Sequence, residues 1–258
     1  ASGSIAAQKV LNAPADGQII FQGSPNELIL APLAISAVKF KSEDFRLVQM
    51  IATAQIAFLA KKDLPVNSVD EFVDHARKAA KDGKPLTFAS VGPGSFYHLL
   101  GEHLSKVTGI PMIHVPYKGT ADQMLAIAGA QIMAGVNSTG FAPWVEKGQM
   151  RVLATFNAAR NPRWPDAPTM RELGYPQAVY TSPWGLAAPA GTPPAVIQKL
   201  HDAFHKAMFS ERHTSALAKY DQALDYLNTR DYRQAVQATV ERERRLLKRM
   251  NLLAKPIS

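Results

Sequence analysis

From Leu86 to Val136 the chain alternates between short apolar runs and segments of helical period, with few residues at each change. Leu86 to Ala89, Met112 to Val115 and Gln131 to Val136 have strand length, and between them lie helical patterns from Ser95 to about Val107 and from Asp122 to Ala128. A strand that is followed by a helix and then a strand returns parallel to the first, because the helix carries the chain back along the sheet. Links this short therefore predict an α/β fold, with parallel-rich sheets covered by helices on both faces. The flanks extend the pattern. Helices are expected over Ser4 to Leu11, Val69 to about Ala80, Ala142 to Glu146, Pro193-Pro194 through Met208, and Tyr232 to Met250. Ser68 and Glu71 have capping-box spacing, and Thr108-Gly109 stops the helix before it. Strands are expected over Gln18 to Phe21 after an Asp16-Gly17 turn, Leu47 to Ile51, Ile56 to Ala60 and Arg151 to Phe156, with an extended stretch over Val179 to Ala188.

Composition removes several classes of function. The chain has no cysteine, which excludes disulfides, thiolate metal sites and cysteine nucleophiles. No apolar run reaches the ~18–20 residues of a membrane span. Ala1 opens on small polar residues and not on a signal peptide, so an exported protein would have lost its signal already. The net charge of +8 is compatible with an anionic ligand or surface. Nucleic acid is not expected, since the basic residues are scattered and no basic run is interleaved with aromatics. The dense stretch from Glu241 to Arg249 mixes acids with arginines around Leu246, Leu247 and Met250, and reads as a terminal helix with a solvated face.

Four strand-to-helix links carry polar groups. Ser90-Val91-Gly92-Pro93-Gly94-Ser95-Phe96-Tyr97-His98 has two glycines that let backbone approach a ligand, and a serine that can cap the next helix. Its free amides and helix dipole would favour an anion, although a plain capped turn fits it equally. It is not a P-loop, lacking Gly-Lys-Ser/Thr, and not a nucleophile elbow, lacking the second glycine. His114-Val115-Pro116-Tyr117-Lys118-Gly119-Thr120 is the second link, with Thr120 or Asp122 as cap and Lys118 solvated. Asn137-Ser138-Thr139-Gly140 and Gln22-Gly23-Ser24-Pro25-Asn26 are the others. Ligands of open α/β sheets bind at the carboxyl ends of strands, where all four would lie.

Metal and catalytic readings find little support. His98, Glu102 and His103 match neither zincin order, and His103 reads as a surface helix residue. His114 reads as a hydrogen-bonded packing residue, and His201, His205 and His213 as helix-face residues. No acidic pair or Ser-His-Asp set stands out, and no cofactor is expected.

Taken in order, these segments resemble the substrate-binding receptors of tripartite tricarboxylate transporters, the Bug family. The resemblance runs over nearly the whole chain. It rests on Gly3-Ser4-Ile5-Ala6-Ala7, Pro14-Ala15-Asp16-Gly17, Ser90 to His98, His114 to Gly119 and Gly129-x-Gln131. It continues through Asp166-Ala167-Pro168-Thr169, Glu172-Leu173-Gly174-Tyr175-Pro176, Trp184-Gly185-Leu186 and Ala188-Pro189-Ala190-Gly191-Thr192-Pro193. Gly119-Thr120-Ala121-Asp122 departs from it by lacking the proline common after the family's Lys-Gly.

The resemblance implies a two-lobed periplasmic-binding-protein fold, type II-like, of the Venus-flytrap kind. Lobe 1 would be residues 1–60 with 186–258, and lobe 2 residues 61–185. The family's first strand and helix are missing from this sequence, which would leave lobe 1 incomplete. A small organic carboxylate would sit in the interlobe cleft, with dicarboxylates, tricarboxylates, amino acids and aromatic acids all open. By position its contacts fall on Ser24, Ser90, Gly94, Ser95, His98, Gly119, Thr120, Asn137 and Thr181. The implied role is that of a periplasmic, non-enzymatic receptor, usually a monomer, delivering the ligand to membrane permease subunits. A carboxylate-sensing receptor for a signalling system and a two-lobed α/β enzyme are the alternatives.

Overall fold

Backbone hydrogen bonding closes the alternating region into a five-stranded sheet and the flanks into a four-stranded one. The computed structural model describes residues 3–138 and 140–254, with the backbone alone for Met250. Thr139 lies outside the described residues. The chain divides into two compact units: a first formed by residues up to Thr53 together with those from Pro183 onward, and a second formed by Ala54–Ser182. In chain order the elements are α1 (Ser4–Leu11), β1 (Phe21–Gly23), α2 (Ala31–Ala34) and β2 (Phe45–Ala54). Then come β3 (Ala57–Lys61), α3 (Val69–Lys81), β4 (Leu86–Ser90), α4 (Phe96–Thr108), β5 (Met112–Pro116), α5 (Thr120–Ala128), β6 (Ala134–Asn137), α6 (Ala142–Glu146) and β7 (Met150–Thr155). The last five are β8 (Ser182–Pro189), α7 (Pro194–Met208), α8 (Glu211–Lys219), β9 (Gln222–Leu227) and α9 (Thr229–Met250).

The sheet of the second unit has the order β5-β4-β6-β3-β7. β4 runs parallel to both β5 and β6, as the crossover argument requires. β3 is antiparallel to β6 and β7, so the sheet is mixed and its parallel part is the half built from strand-helix-strand units. Helix α3 shows how its sequence fixes its place. Val69, Phe72, Val73 and Ala76 recur at helical spacing and are buried, and the Phe72 ring meets Phe58 edge to face at 4.9 Å. Ser68 Oγ accepts the Glu71 amide at 3.1 Å. The Glu71 carboxylate reaches back one residue further than a capping box, taking the Asn67 amide at 2.6 Å.

In the first unit the sheet order is β1-β8-β2-β9, with β1 antiparallel to β8. One apolar cluster gathers Phe21, Leu28, Ile29, Phe45, Leu47 and Tyr232, and a second gathers Val48, Ile51, Leu186, Ile197, Met208 and Leu217. The charged stretch of α9 keeps Arg242, Arg244 and Arg245 exposed and buries Leu246 and Leu247, but Glu243 is buried as well.

Some boundaries move for local reasons. The Asp16 carboxylate accepts the Gln18 amide at 2.9 Å, which holds Gln18 in the turn, and the strand starts at Phe21 rather than Gln18. Gln131 and Ile132 both donate their amides to the Ala126 carbonyl, so the strand expected from Gln131 begins at Ala134. A 3-10 turn at Pro176–Ala178 delays the extended stretch to Ser182. The Asn228 side chain accepts the Asp231 amide and starts α9 at Thr229, three residues ahead of Tyr232. Helix α8, strand β9 and a π-helical turn at Asn26–Leu30 have no counterpart in the sequence expectations.

Gly101 lies where α4 crosses β4, and a methyl group there would fall 2.1 Å from the Phe88 ring, which is fully buried. Gly101→Ala should lower the unfolding free energy by about 1–3 kcal/mol through overpacking, reversing the usual gain of alanine in a helix. Urea unfolding followed by circular dichroism measures this, and an unchanged midpoint would mean that Phe88 yields without cost.

Candidate functional site

Because β5, β4 and β6 are parallel neighbours, their carboxyl ends reach the same edge of the second unit's sheet. The polar links that follow them are brought together there. The Tyr117 amide donates to the Ser90 carbonyl at 2.9 Å, joining the first two. A methyl group on Gly92 would meet the Tyr117 carbonyl at 4.0 Å, and one on Gly140 would meet Thr120 Cγ2 at 4.0 Å. Three of the four links singled out in the sequence thus form one surface of one unit.

The Ser90 to His98 segment is internally braced. Ser90 and Ser95 are fully buried. Ser95 Oγ accepts the His98 amide at 3.2 Å and so caps α4, as its position predicts. The Ser95 hydroxyl donates to Ser90 Oγ over 3.4 Å, a long contact. Ser90 Oγ accepts the Gly92 amide at 3.1 Å and lies 2.6 Å from His114 Nε2. Gly92 and Gly94 have φ of 128° and 73°, backbone that side chains with a Cβ avoid. His98 is buried, and its Nδ1 accepts the Gly94 amide at 3.0 Å. Its Nε2 lies 3.7 Å from Glu102 Oε1, and this contact holds the Glu102 carboxyl below the usual carboxylate range.

His114 is more than a packing residue. Its ring stacks on His98 at 3.9 Å between centroids and tilts against Phe88 at 5.1 Å. Burial, and next the neighbouring His98, push its pKa down to about 4, so it is neutral near pH 7. The Ser90–His114 pair has the look of a nucleophile and base, but the Ser90 hydroxyl is directed at the Gly92 carbonyl at 3.1 Å rather than at the imidazole.

At β6, Asn137 and Ser138 are fully buried. Asn137 Nδ2 donates to Gln123 Oε1 at 2.7 Å, and Asn137 Oδ1 accepts the Ser138 amide at 2.7 Å. Gln123 Nε2 donates to the carbonyls of Ala89 and Val136, both at 3.0 Å. The Ser138 hydroxyl is hydrogen-bonded to Tyr97 OH, which ties the β6 link to the first turn of α4. Gly119, neither Thr120 nor Asp122, occupies the cap position of α5, and no side chain caps that helix. Lys118 is exposed.

Ser24 and Thr181 are not part of this cluster. Ser24 belongs to the first unit, where its amide and hydroxyl both donate to Glu27 Oε2 at 2.8 Å. Burial pushes the Glu27 carboxyl up, opposed by those two bonds. Thr181 is exposed at the end of the second unit. Gln123 escaped sequence reading. The available signal for Gln123 was an amide on the apolar face of α5, beside Met124 and one turn before Ile127. His103 is half-buried beside the Tyr180 ring, where a surface residue was expected, because α4 buries much of its circumference. His201 has partners in Asp202 and Tyr226, each at 2.9 Å. Among the described residues no group of three or more His, Cys, Asp or Glu can hold a metal ion. Open grooves of about 660 and 630 Å³ in the first unit are lined by none of the nine candidate residues.

Residues 1–252 match the family model described as the tripartite tricarboxylate transporter family receptor. A curated Cupriavidus necator protein, the UPF0065 protein in the gbd 5' region, is 36% identical over 210 residues, which are 81% of this chain and 63% of that protein. The chain thus spans under two thirds of that relative's length. Among solved structures, R. palustris Rpa4515 with adipate superposes with a TM-score of 0.88 at 28% identity, covering 99% of this chain and 84% of that one. The periplasmic binding protein BugD superposes with a TM-score of 0.89 at 24% identity, covering 99% and 85%.

Depression of the His114 pKa from 6.5 to about 4 means that the unfolded chain binds the proton first on acidification. Stability should be intact above pH 6.5 and fall as the pH drops towards 4. Partial exposure of the ring reduces this contribution to about 1–2 kcal/mol. Urea unfolding at pH 7.5 and 4.5 should show a larger acid loss in the wild type than in His114→Gln, and equal losses would contradict a neutral, half-buried His114.

Proposed function

The chain belongs to the tripartite tricarboxylate transporter receptor family, and on that premise we propose that it captures a small organic carboxylate outside the cytoplasm and delivers it to membrane permease subunits of such a transporter. The observation that carries this reading is the meeting of three polar links at the carboxyl ends of β5, β4 and β6, two of which lead into the N-termini of α4 and α5. Helix N-termini favour negative charge through their dipoles and unpaired amides. The cluster contains hydroxyls, carboxamides and neutral imidazole rather than a cationic side chain, which suits a carboxylate held by directed hydrogen bonds. The Rpa4515 structure with adipate gives this class of ligand a precedent at 28% identity.

In this proposal the contacts in the second unit come from Ser90, Gly94, Ser95, Gly119, Thr120 and Asn137, with His98 behind them. Ser24 and Thr181 belong to the proposed set through the resemblance. The protein acts as a monomer in the periplasm, uses no cofactor and performs no chemistry on its ligand. Which acid it carries is set by the rest of the ligand, beyond the carboxylate that the helix N-termini would hold.

A thermal-shift screen against dicarboxylates, tricarboxylates, amino acids and aromatic acids tests the reading. Saturation at one hundred times Kd stabilises the native state by roughly 2.7 kcal/mol. One class of acid should raise the melting temperature, and its amide derivative should not. Asn137→Ala and Ser95→Ala should each abolish most of that shift, apart from the roughly 1 kcal/mol that loss of the Ser95 cap costs the unliganded protein. A melting temperature indifferent to every carboxylate, or raised equally by acid and amide, would remove the proposal.

A further inference from the structure

We infer that His98 is a positioning residue: stacked on His114, it holds the Gly94 peptide in place and so sets the donor geometry of the Ser90–Ser95 loop, without itself touching the ligand. The inference deepens the carboxylate-receptor reading and rests on it for the consequence on binding.

Both ring nitrogens of His98 have partners. Nδ1 accepts the Gly94 amide at 3.0 Å, which requires its lone pair and puts the proton on Nε2, facing Glu102 Oε1 at 3.7 Å. The residue is 8% exposed, and its ring stacks at 3.9 Å on His114, which Phe88 backs in turn at 5.1 Å. Turning it toward a ligand would break the Gly94 bond and the stack together. His114 makes the matching contact on the other glycine, through Ser90. Its Nε2 lies 2.6 Å from Ser90 Oγ, which in turn accepts the Gly92 amide and donates to the Gly92 carbonyl, each at 3.1 Å. The stacked imidazoles thus brace both left-handed peptides of the loop.

The loop needs such a brace. Glycines at φ of 128° and 73° have the widest choice of backbone states and lose the most freedom when fixed. A loop that lines a binding site gains from having its polar groups pre-arranged, because the ordering cost is then already met in the free protein. Of the titratable groups facing His98, Glu102 comes from its own helix and His114 from β5, while β4 contributes only Phe88 and Ser90. Burial holds His114 neutral near pH 7, so it places no competing charge on the ring beside it.

The test uses His98→Asn and His98→Phe in the whole protein. Asparagine places an oxygen near the position of Nδ1 and keeps an acceptor for Gly94, whereas phenylalanine keeps the stack and removes the acceptor. Amide hydrogen exchange by NMR reads Gly94 directly, with the Leu59 amide as a reference for global stability. Calorimetric titration with adipate reads the effect on binding. In His98→Phe, protection of Gly94 and adipate affinity should each fall about tenfold, the worth of one hydrogen bond, with Leu59 unchanged. His98→Asn should keep both within about threefold. Unaltered Gly94 protection in His98→Phe would overturn the inference, as would an asparagine variant as impaired as the phenylalanine one, since the ring would then act by packing or contact. Gly94 protection following the expected order in a protein that does not bind adipate would uphold the brace and count instead against the choice of ligand.

Discussion

One buried carboxamide holds the site's framework together. Gln123 projects from α5 and donates to a carbonyl of β4 and a carbonyl of β6, while accepting from Asn137. It is fully buried, so none of these bonds competes with water. β4 and β6 share only two paired positions, Phe88 with Ala134 and Ala89 with Gly135. The glutamine supplies the cross-links where that ladder stops, at the end where the polar links begin. Each bond contributes on the order of 1 kcal/mol net, but leaving two strand carbonyls and Asn137 without partners costs more than the bonds themselves return. Gly135 shows how closely the helix side chains approach, since a methyl group there would lie 2.9 Å from Gln123 Nε2. The small residue on the strand and the amide on the helix are two halves of one arrangement.

From that framework follows the character of the site. The chain is basic overall, yet its charge is not concentrated where the three links meet: Lys118 is exposed, and Arg242, Arg244 and Arg245 stand out from α9 in the other unit. The cluster is built instead from groups that are polar and uncharged near pH 7, namely Ser90, Ser95, Tyr97, Asn137, Ser138 and His114. Neutral donors at helix ends favour an anion less strongly than an arginine would, but their directions are fixed by the backbone. In the proposed receptor, selectivity would then depend on where amides and hydroxyls are aimed, and much of the local hydrogen bonding braces a single glycine-rich loop.

Much of this was legible from the sequence because it was periodic. The alternation from Leu86 to Val136 gave the parallel half of the second unit's sheet, and Ser68 and Ser95 marked the helix starts they were expected to mark. Boundaries set by a single side chain or a carbonyl were not legible. Asp16 retains Gln18 in its turn, and Ala126 O captures two amides that would otherwise begin β6. Helix α8 and β9 follow α7 without a strong change in composition, and α8 has only Leu217 buried to mark its inner face. For the site, the sequence named the serines, glycines and Asn137. It could not reveal that Gln123 and Tyr97 hold them, because those contacts join residues 14 and 41 positions apart.

The two candidate serines that open turns make the difference between motif and chemistry plain. Ser24 and Ser95 both stand before a helical segment, and both have a side-chain oxygen that accepts an amide two or three residues on. Their hydroxyl protons have different fates. That of Ser24 goes to the Glu27 carboxylate at 2.8 Å, a charge-assisted bond when the acid is ionised. Glu27 is itself half-buried in protein and gains from the contact, so a ligand would have to replace a carboxylate to recruit this hydroxyl. That of Ser95 goes to Ser90 Oγ over 3.4 Å, at the weak end of the range for hydroxyl bonds. Ser90 is already well supplied by Gly92 and His114 and loses little if Ser95 turns away. Of the two, Ser95 therefore has the more weakly held hydroxyl, and in the proposed receptor it would be the easier one for a carboxylate to claim, while its oxygen goes on capping α4.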